Sequence, residues 1–212
     1  MATQTFNASG TWVAPAGVTS VTAECWGSGA HGLDGSAFAG GNGGGGGAYA
    51  SKVTTVTPGN SYTVTVDTAN NNGSTWFDSA SVVDADSAFL NAGGTAAAST
   101  GDTVRSGGDG GTNIIMDTGG AGGGGSATAG AAGNAGASPS GSTGGAGGTG
   151  EGNGGNGGDD GANGVAGNAP GGGGGGGGRN GTAGVGKDGR VTLTWTAPAT
   201  DDDDLILLPF LA

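Results

Sequence analysis

The first 150 residues hold one histidine, His31, one cysteine, Cys25, and one glutamate, Glu24, to weigh for acid–base or nucleophilic chemistry. Nucleophilic catalysis needs a base positioned beside the nucleophile and a third group that orients the base. His31 stands alone in a glycine loop, AHG, with no partner at a usable spacing. Cys25 alternates with Val21 and Ala23, which predicts a buried, inert thiol and excludes an intrachain disulfide. Asp67, Asp78, Asp84, Asp86, Asp102, Asp109, Asp117, Asp159 and Asp160 offer hard oxygen to Ca²⁺. None falls in a D-x-D-x-D-G calcium loop, so they read as solvated turn residues and no metal is assigned. The run GGGGGGGGRNG at 171–181 lacks the G-x-x-x-x-G-K-[ST] spacing of a phosphate loop. The expectation is a non-enzymatic protein with no cofactor.

Composition narrows the partners. The chain carries 17 acidic against 5 basic residues, a formal charge of −12, which argues against a nucleic-acid surface. Residues 1–23 lack the basic start and apolar core of an export signal. The apolar run LILLPFLA at 205–212 is far shorter than the ~20 residues needed to span a bilayer. No membrane insertion is expected.

With 57 glycines among 212 residues, the chain could be read as a flexible linker. Its apolar residues, however, gather at 12–26, 48–66, 76–90, 112–116 and 191–195, with Trp12, Trp26, Trp76 and Trp195 in or beside those groups. Residues 2–26 predict two strands with a turn at Pro15-Ala16-Gly17. Residues 48–57 and 60–67 alternate with period two around Pro58-Gly59 and predict a hairpin. Residues 74–91 predict one or two short strands with a turn near 84–87. Residues 190–196 predict a last strand with Val191, Leu193 and Trp195 inward. Pairing that strand with the N-terminal ones makes the glycine stretches, about 27–47 and 117–189, insertions from a small β-sandwich.

Within those insertions glycine recurs every third residue. Gly152, Gly155, Gly158, Gly161, Gly164 and Gly167 form one register; Gly141, Gly144, Gly147 and Gly150 another; Gly130, Gly133, Gly136 and Gly119, Gly122, Gly125 two more. Period three matches an extended helix of about 3 residues per turn, which makes no hydrogen bonds within itself. Such helices can pack side by side along a glycine edge and bond to one another. Collagen is excluded by the slipping register and only 6 prolines. The expected fold is mainly β and irregular: a small antiparallel β-sandwich at 1–197 with an inserted bundle of polyglycine II helices, almost no α-helix, and a separate tail at 198–212. The octaglycine 171–178 is expected at the bundle centre.

FNASGTWVAPAGVTSVTAECWGSGAHG at 6–32, GNGGGGGAYASKVTTVTPGNSYTVTV at 41–66 and GKDGRVTLTW at 186–195 resemble the glycine-rich domain of bacteriophage tail-fibre adhesins. The resemblance covers about residues 3–196. It implies a polyglycine II sandwich whose loops touch the host surface, on a virion surface protein assembled in the host cytoplasm, with other virion proteins and a host receptor as partners. Those adhesins carry a separate N-terminal attachment domain, whereas this chain starts directly in the glycine-rich fold. Attachment is therefore expected elsewhere, or the protein is a capsid decoration or head-fibre protein. Ice binding is a third reading, weakened by the lack of a uniform Ala/Thr face at third positions.

Receptor contact is expected on loops between glycine helices at 30–38, 128–142 and 163–169. The candidates are Leu33, Phe38, Ser138, Pro139, Asn163 and Asn168. For Leu33 and Phe38 a second reading, that they cover the end of the sandwich, is equally open. The tail DDDDLILLPFLA combines four repelling carboxylates with an apolar segment. Leu205, Ile206, Leu207, Leu208, Phe210 and Leu211 are candidates for a virion anchor, the alternative being a cover folded back on the sandwich.

Overall fold

The computed structural model describes residues 1–113 and 117–197. The tail candidates Leu205–Leu208, Phe210 and Leu211 and part of the 112–116 island lie outside the described residues. Among the described residues nine strands follow in chain order: β1 (Ala2–Phe6), β2 (Gly10–Val13), β3 (Ser20–Trp26), β4 (Tyr49–Thr55), β5 (Ser61–Thr65), β6 (Ser74–Phe77), β7 (Val83–Asp86), β8 (Thr103–Arg105) and β9 (Arg190–Trp195). No α-helix occurs among the described residues. Two antiparallel sheets pack as a sandwich, ordered β1-β9-β3-β4-β8 and β2-β5-β6-β7.

The alternation of each strand sets the core. Val21, Ala23 and Cys25 of β3, Ala50 of β4, and Val191 and Leu193 of β9 point inward, against Trp12, Val64, Phe77, Val83 and Ala85 of the other sheet. Trp12 sits at the centre, its ring centroid 5.4 Å from Trp195, 5.9 Å from Phe77 and 5.9 Å from Tyr62. The last strand does return to the first ones: Leu193 lies opposite Gln4 of β1 and Ala23 of β3. β9 thus closes the five-stranded sheet between β1 and β3 across a separation of more than 160 residues, with its alternating Val191 and Leu193 buried in the core.

Three local expectations need correction. Residues 2–26 hold three strands rather than two, since Asn7–Ser9 break β1 from β2 and send them to different sheets. Pro58-Gly59 is not a hairpin turn. β4 pairs with β3 and β8, whereas β5 pairs with β2 and β6. Gly59 takes φ +81° and donates its N–H to Ala14, and Val56 donates to Thr19, so the connection crosses from one sheet to the other. Turn chemistry dictates a reversal but not which sheet receives the next strand. The turn after β6 lies at residues 78–82, with Asp78 at φ +65°, and residues 84–86 are in β7. Val83 and Ala85 are fully buried, and that burial carries the strand through the acidic positions.

Beyond the sandwich the chain runs through successive extended segments, at 27–35, 40–47, 106–111, 119–127, 133–137, 144–150, 152–158, 162–167, 171–178 and 181–187. Their backbones bond to one another (Gly43 N–H to Gly111 C=O, Gly148 to Gly123, Gly164 to Thr182). Segment 171–178 shows the rule. Gly173, Gly174 and Gly175 donate in turn to Gly124, Ala30 and Val165; Gly176, Gly177 and Gly178 repeat the order to Ala121, Leu33 and Ala162. Each direction recurs every third residue, which is the geometry of a helix with three residues per turn. The carbonyls of the same segment accept from Gly41, Gly44 and Gly47, from Gly155 and Gly158, and from Gly181, Gly184 and Lys187. Three neighbours accept its N–H groups and three others donate to its carbonyls, so it is enclosed by six. All eight glycines are buried, and a Cβ on any of Gly172–Gly178 would come within 3.0 Å of a neighbouring carbonyl. Segment 119–127 is enclosed in the same way, donating to 40–47, 133–137 and 152–158 and accepting from 106–111, 144–150 and 171–178.

The six-member glycine register is folded in two. Gly152, Gly155 and Gly158 lie in one segment, Gly161 is in a turn at φ +76°, and Gly164 and Gly167 lie in the returning segment. On outer segments the non-glycine positions face water: Asn153 and Asn156 are exposed between buried Gly152, Gly155 and Gly158. Their amide oxygens have a structural task. Asn153, Asn156 and Asp159, three residues apart, accept the N–H groups of Gly150, Gly147 and Gly144 at 3.0, 2.8 and 2.9 Å. Side chains thus stand in where a backbone neighbour is missing.

The bundle joins the sandwich through Trp26. Its indole donates to Ala127 C=O (3.1 Å), meets Tyr49 edge-on at 5.1 Å, and lies under the Arg190 guanidinium at 4.3 Å. Arg190 is held in turn by Glu151 at 3.0 Å. On the other side Asp67 accepts from Ser28 Oγ (2.7 Å) and Asn71 Nδ2 (2.8 Å), tying the β5–β6 loop to the first glycine segment.

Two measurements check this reading. Gly176→Ala directs a methyl at the Gly41 carbonyl and should cost at least ~1–3 kcal/mol. Gly130→Ala meets nothing within 4 Å and should be neutral or stabilise by up to ~1 kcal/mol; urea denaturation of both variants makes the comparison. Asp84 is 6% exposed, and its Oδ1 has no partner among the described residues. Burial first, and then the Asp86 charge, push its pKa up to about 6 against an opposing hydrogen bond from Ser74. A raised folded value means that the native state holds the proton better. The stability so contributed is full below the ordinary value of 3.8 and is lost as pH rises through about 6. Asp84→Asn should therefore be more stable than the parent above pH 6, by ~1–3 kcal/mol, and should remove that part of the pH dependence of Tm.

Candidate binding tip

Every outward-running glycine segment must turn at the end of the bundle remote from the sheets. Those turns, at 36–39, 117–118, 140–143, 159–161 and 179–180, come together there. Asn180 N–H donates to Ser36 C=O (3.0 Å), Arg179 to Thr118 (2.7 Å), Asp160 to Ser142 (2.9 Å) and Gly119 to Gly141 (3.0 Å). Neighbouring turns are therefore stitched to one another by backbone bonds, so the tip is a single surface carried on a rigid support.

Local chemistry fixes each turn. Ser36 Oγ accepts from Phe38 and Ala39 N–H and donates to Ala39 C=O, the short-range bonding typical of serine turns. Asn113 donates to the carbonyls of Gly40, Asp117 and Gly119, and its own Oδ1 accepts from Asp117 N–H. Asn180 and Gly161 supply the left-handed positions at φ +59° and +76°. Arg179 makes a two-pronged bond to Asp160, at 2.9 and 2.8 Å, between neighbouring turns.

The surface so made is acidic with one exposed aromatic. Asp159 and Asp160 are exposed, with Asp34 alongside accepting from Ala183 N–H (2.7 Å). Asp117 Oδ2 is buried without a partner among the described residues. Phe38 is 82% exposed, the most exposed large hydrophobic side chain after Met1 among the described residues.

The sequence candidates divide. Phe38, at 36–39, and Ser138, which leads into the 140–143 turn, lie at the tip and are exposed. Pro139 is there too but is buried. Leu33 is half-exposed on the segment entering the tip, and its N–H is held by Asn42. Asn163 is exposed near the tip, with its Oδ1 on Thr182 N–H. Asn168 lies at the opposite end, where it accepts from Gly172 beside the sandwich. The 128–132 turn is also at that end, next to Ala127 and Trp26. Leu33 and Phe38 do not cover the sandwich, because the length of their segment carries them away from it. Ala30, included in the 30–38 loop, is fully buried within the bundle. Sequence reasoning missed Asp117, Asp160 and Arg179 as tip residues. The three-residue spacing does not mark them: Gly161 sits in a turn at φ +76° inside an unbroken register.

Among the described residues no group of three His, Cys, Asp or Glu side chains could hold a metal, and no helix is long and apolar enough to cross a membrane. Burial, reinforced by the charges of Asp84 and Glu24, pushes the Cys25 thiol up, away from the thiolate form that chemistry would need.

In comparison with known proteins, the family described as "Glycine-rich domain" matches residues 3–196. No curated protein matches the chain. Because Phe38 makes its contacts outward, Phe38→Ser should leave stability within ~0.5 kcal/mol of the parent, as read by thermal unfolding.

Proposed function

Since the chain belongs to the glycine-rich domain family, we propose that it is a non-enzymatic bacteriophage virion surface protein, a tail-fibre adhesin whose bundle tip binds a host surface receptor. The fold supports this reading: the sandwich anchors a rigid bundle, and the bundle spends its length to present short turns at one end. The similarity of residues 6–32, 41–66 and 186–195 to phage tail-fibre adhesins supports it from the sequence side. The observation that carries it is Phe38, 82% exposed on a turn that its neighbours hold in place. Rigid loops bind without a large ordering cost, and exposed aromatics are common anchors of an interface.

Binding of the labelled protein to a panel of bacterial strains tests this. The parent should label a subset of strains, and Phe38→Ser should weaken that labelling about tenfold or more, equivalent to ~1.4 kcal/mol. Val53→Ser, on the exposed face of the sandwich, should bind as the parent does. Equal binding by Phe38→Ser, or immunogold labelling of particle heads with no cell binding, would overturn the adhesin reading; the latter would favour a capsid decoration protein.

A further inference from the structure

Asparagine followed by glycine is the dipeptide most open to spontaneous deamidation, because no Cβ hinders the following backbone nitrogen. The chain has six such pairs, at 42–43, 72–73, 153–154, 156–157, 163–164 and 180–181. In five of them the glycine N–H is committed to a backbone carbonyl: Gly43 to Gly111 (3.0 Å), Gly154 to Gly148, Gly157 to Gly145 and Gly164 to Thr182 (2.8 Å each), and Gly181 to Gly178 (2.6 Å). Four of these asparagines are also held by their own amide oxygens: Asn42 by Asn113, Asn153 by Gly150, Asn156 by Gly147 and Asn163 by Thr182. Swinging such a side chain onto its neighbour's nitrogen would break two bonds within the bundle.

Asn72 differs on every count. It is exposed, and its side chain has no hydrogen bond among the described residues. Gly73 N–H reaches only the Asp67 carboxylate, at 3.3 Å. The loop before it is loosely held as well, with Asn70 N–H on Gly29 at 3.2 Å and Asn71 N–H on Thr68 at 3.3 Å.

We infer that Asn72 is a site of selective spontaneous deamidation, the bundle protecting the other five pairs. The Gly73 nitrogen attacks Asn72 Cγ and forms the N–Cγ bond of a five-membered imide. The Cγ–Nδ2 bond breaks, and Nδ2 leaves as ammonia with the proton shed by Gly73. Water then opens the ring at either carbonyl, to aspartate or isoaspartate, with no change of oxidation state. The product carries a new carboxylate beside Asp67, in the loop that ties the sandwich to the first glycine segment through Ser28 and Gly29.

Trypsin separates the sites, since Lys52, Arg105, Arg179 and Lys187 bound the peptides. The folded protein is aged at mildly alkaline pH, digested and followed by mass spectrometry. The 53–105 peptide should convert several-fold faster than 1–52, 106–179 or 180–187. In denaturant that preference should collapse. Asn72→Gln should abolish conversion of 53–105, which separates Asn72 from Asn60, Asn70, Asn71 and Asn91 in the same peptide. Conversion of 106–179 or 180–187 at an equal or greater rate in the folded state would overturn the inference. So would undiminished conversion of 53–105 in Asn72→Gln.

Discussion

The protein depends on one constraint: the backbone groups of an extended glycine helix have no partners within that helix. An unpaired buried N–H or C=O costs ~1–3 kcal/mol, while a made hydrogen bond returns only ~0.5–1.5 kcal/mol net. A glycine also gives up more conformational freedom on ordering than any other residue. A lone segment such as 171–178 would not hold its shape. It is ordered because six neighbours take up its donors and acceptors every third residue. The pairing is possible only where no Cβ intervenes, and a Cβ on its glycines would strike neighbouring carbonyls. The same closeness brings Cα–H groups against carbonyl oxygens, a further small gain per contact.

That lattice needs a boundary and a seed. The outer boundary is made by side chains: Asn153, Asn156 and Asp159 cap the N–H row of the adjoining segment. The inner boundary is the sandwich, where an ordinary apolar core around Trp12 supplies what the glycine bundle cannot, namely burial of large side chains. Trp26 serves both, with its position in β3 fixed by sheet pairing and its indole bonded to the bundle at Ala127.

The tip follows from the same logic. Segments that run outward must turn, the turns fall at the end remote from the sheets, and they are held because the segments below them are. Phe38, Asp160 and Arg179 are far apart in sequence, and they share a surface because 27–35, 152–158 and 171–178 are lattice neighbours. The binding role proposed for that surface uses what the lattice provides, which is a set of short loops that need little further ordering.

Much of this was legible in the sequence, and for identifiable reasons. The alternation of β3 and β9 fixed the sandwich and its closure, since period two with one buried face admits little else. The glycine spacing fixed the three-residue helix, and the unbroken run 171–178 pointed to its own place inside the bundle, because an all-glycine segment can be enclosed on every side; segment 119–127, with Ala121, Ser126 and Ala127, shows that small side chains are also accepted there. Local reading failed at Pro58-Gly59 and again after β6. A turn states that the chain reverses; which sheet receives it depends on burial contributed from elsewhere. It failed also for Asn168, which resembles Asn163 in its surroundings yet lies at the opposite end of the bundle. Glycine repeats are nearly identical, so they carry no record of where each segment turns or which six others surround it. Those neighbours are chosen by the pairing of every backbone donor and acceptor at once, and that condition exists only in the assembled tertiary structure.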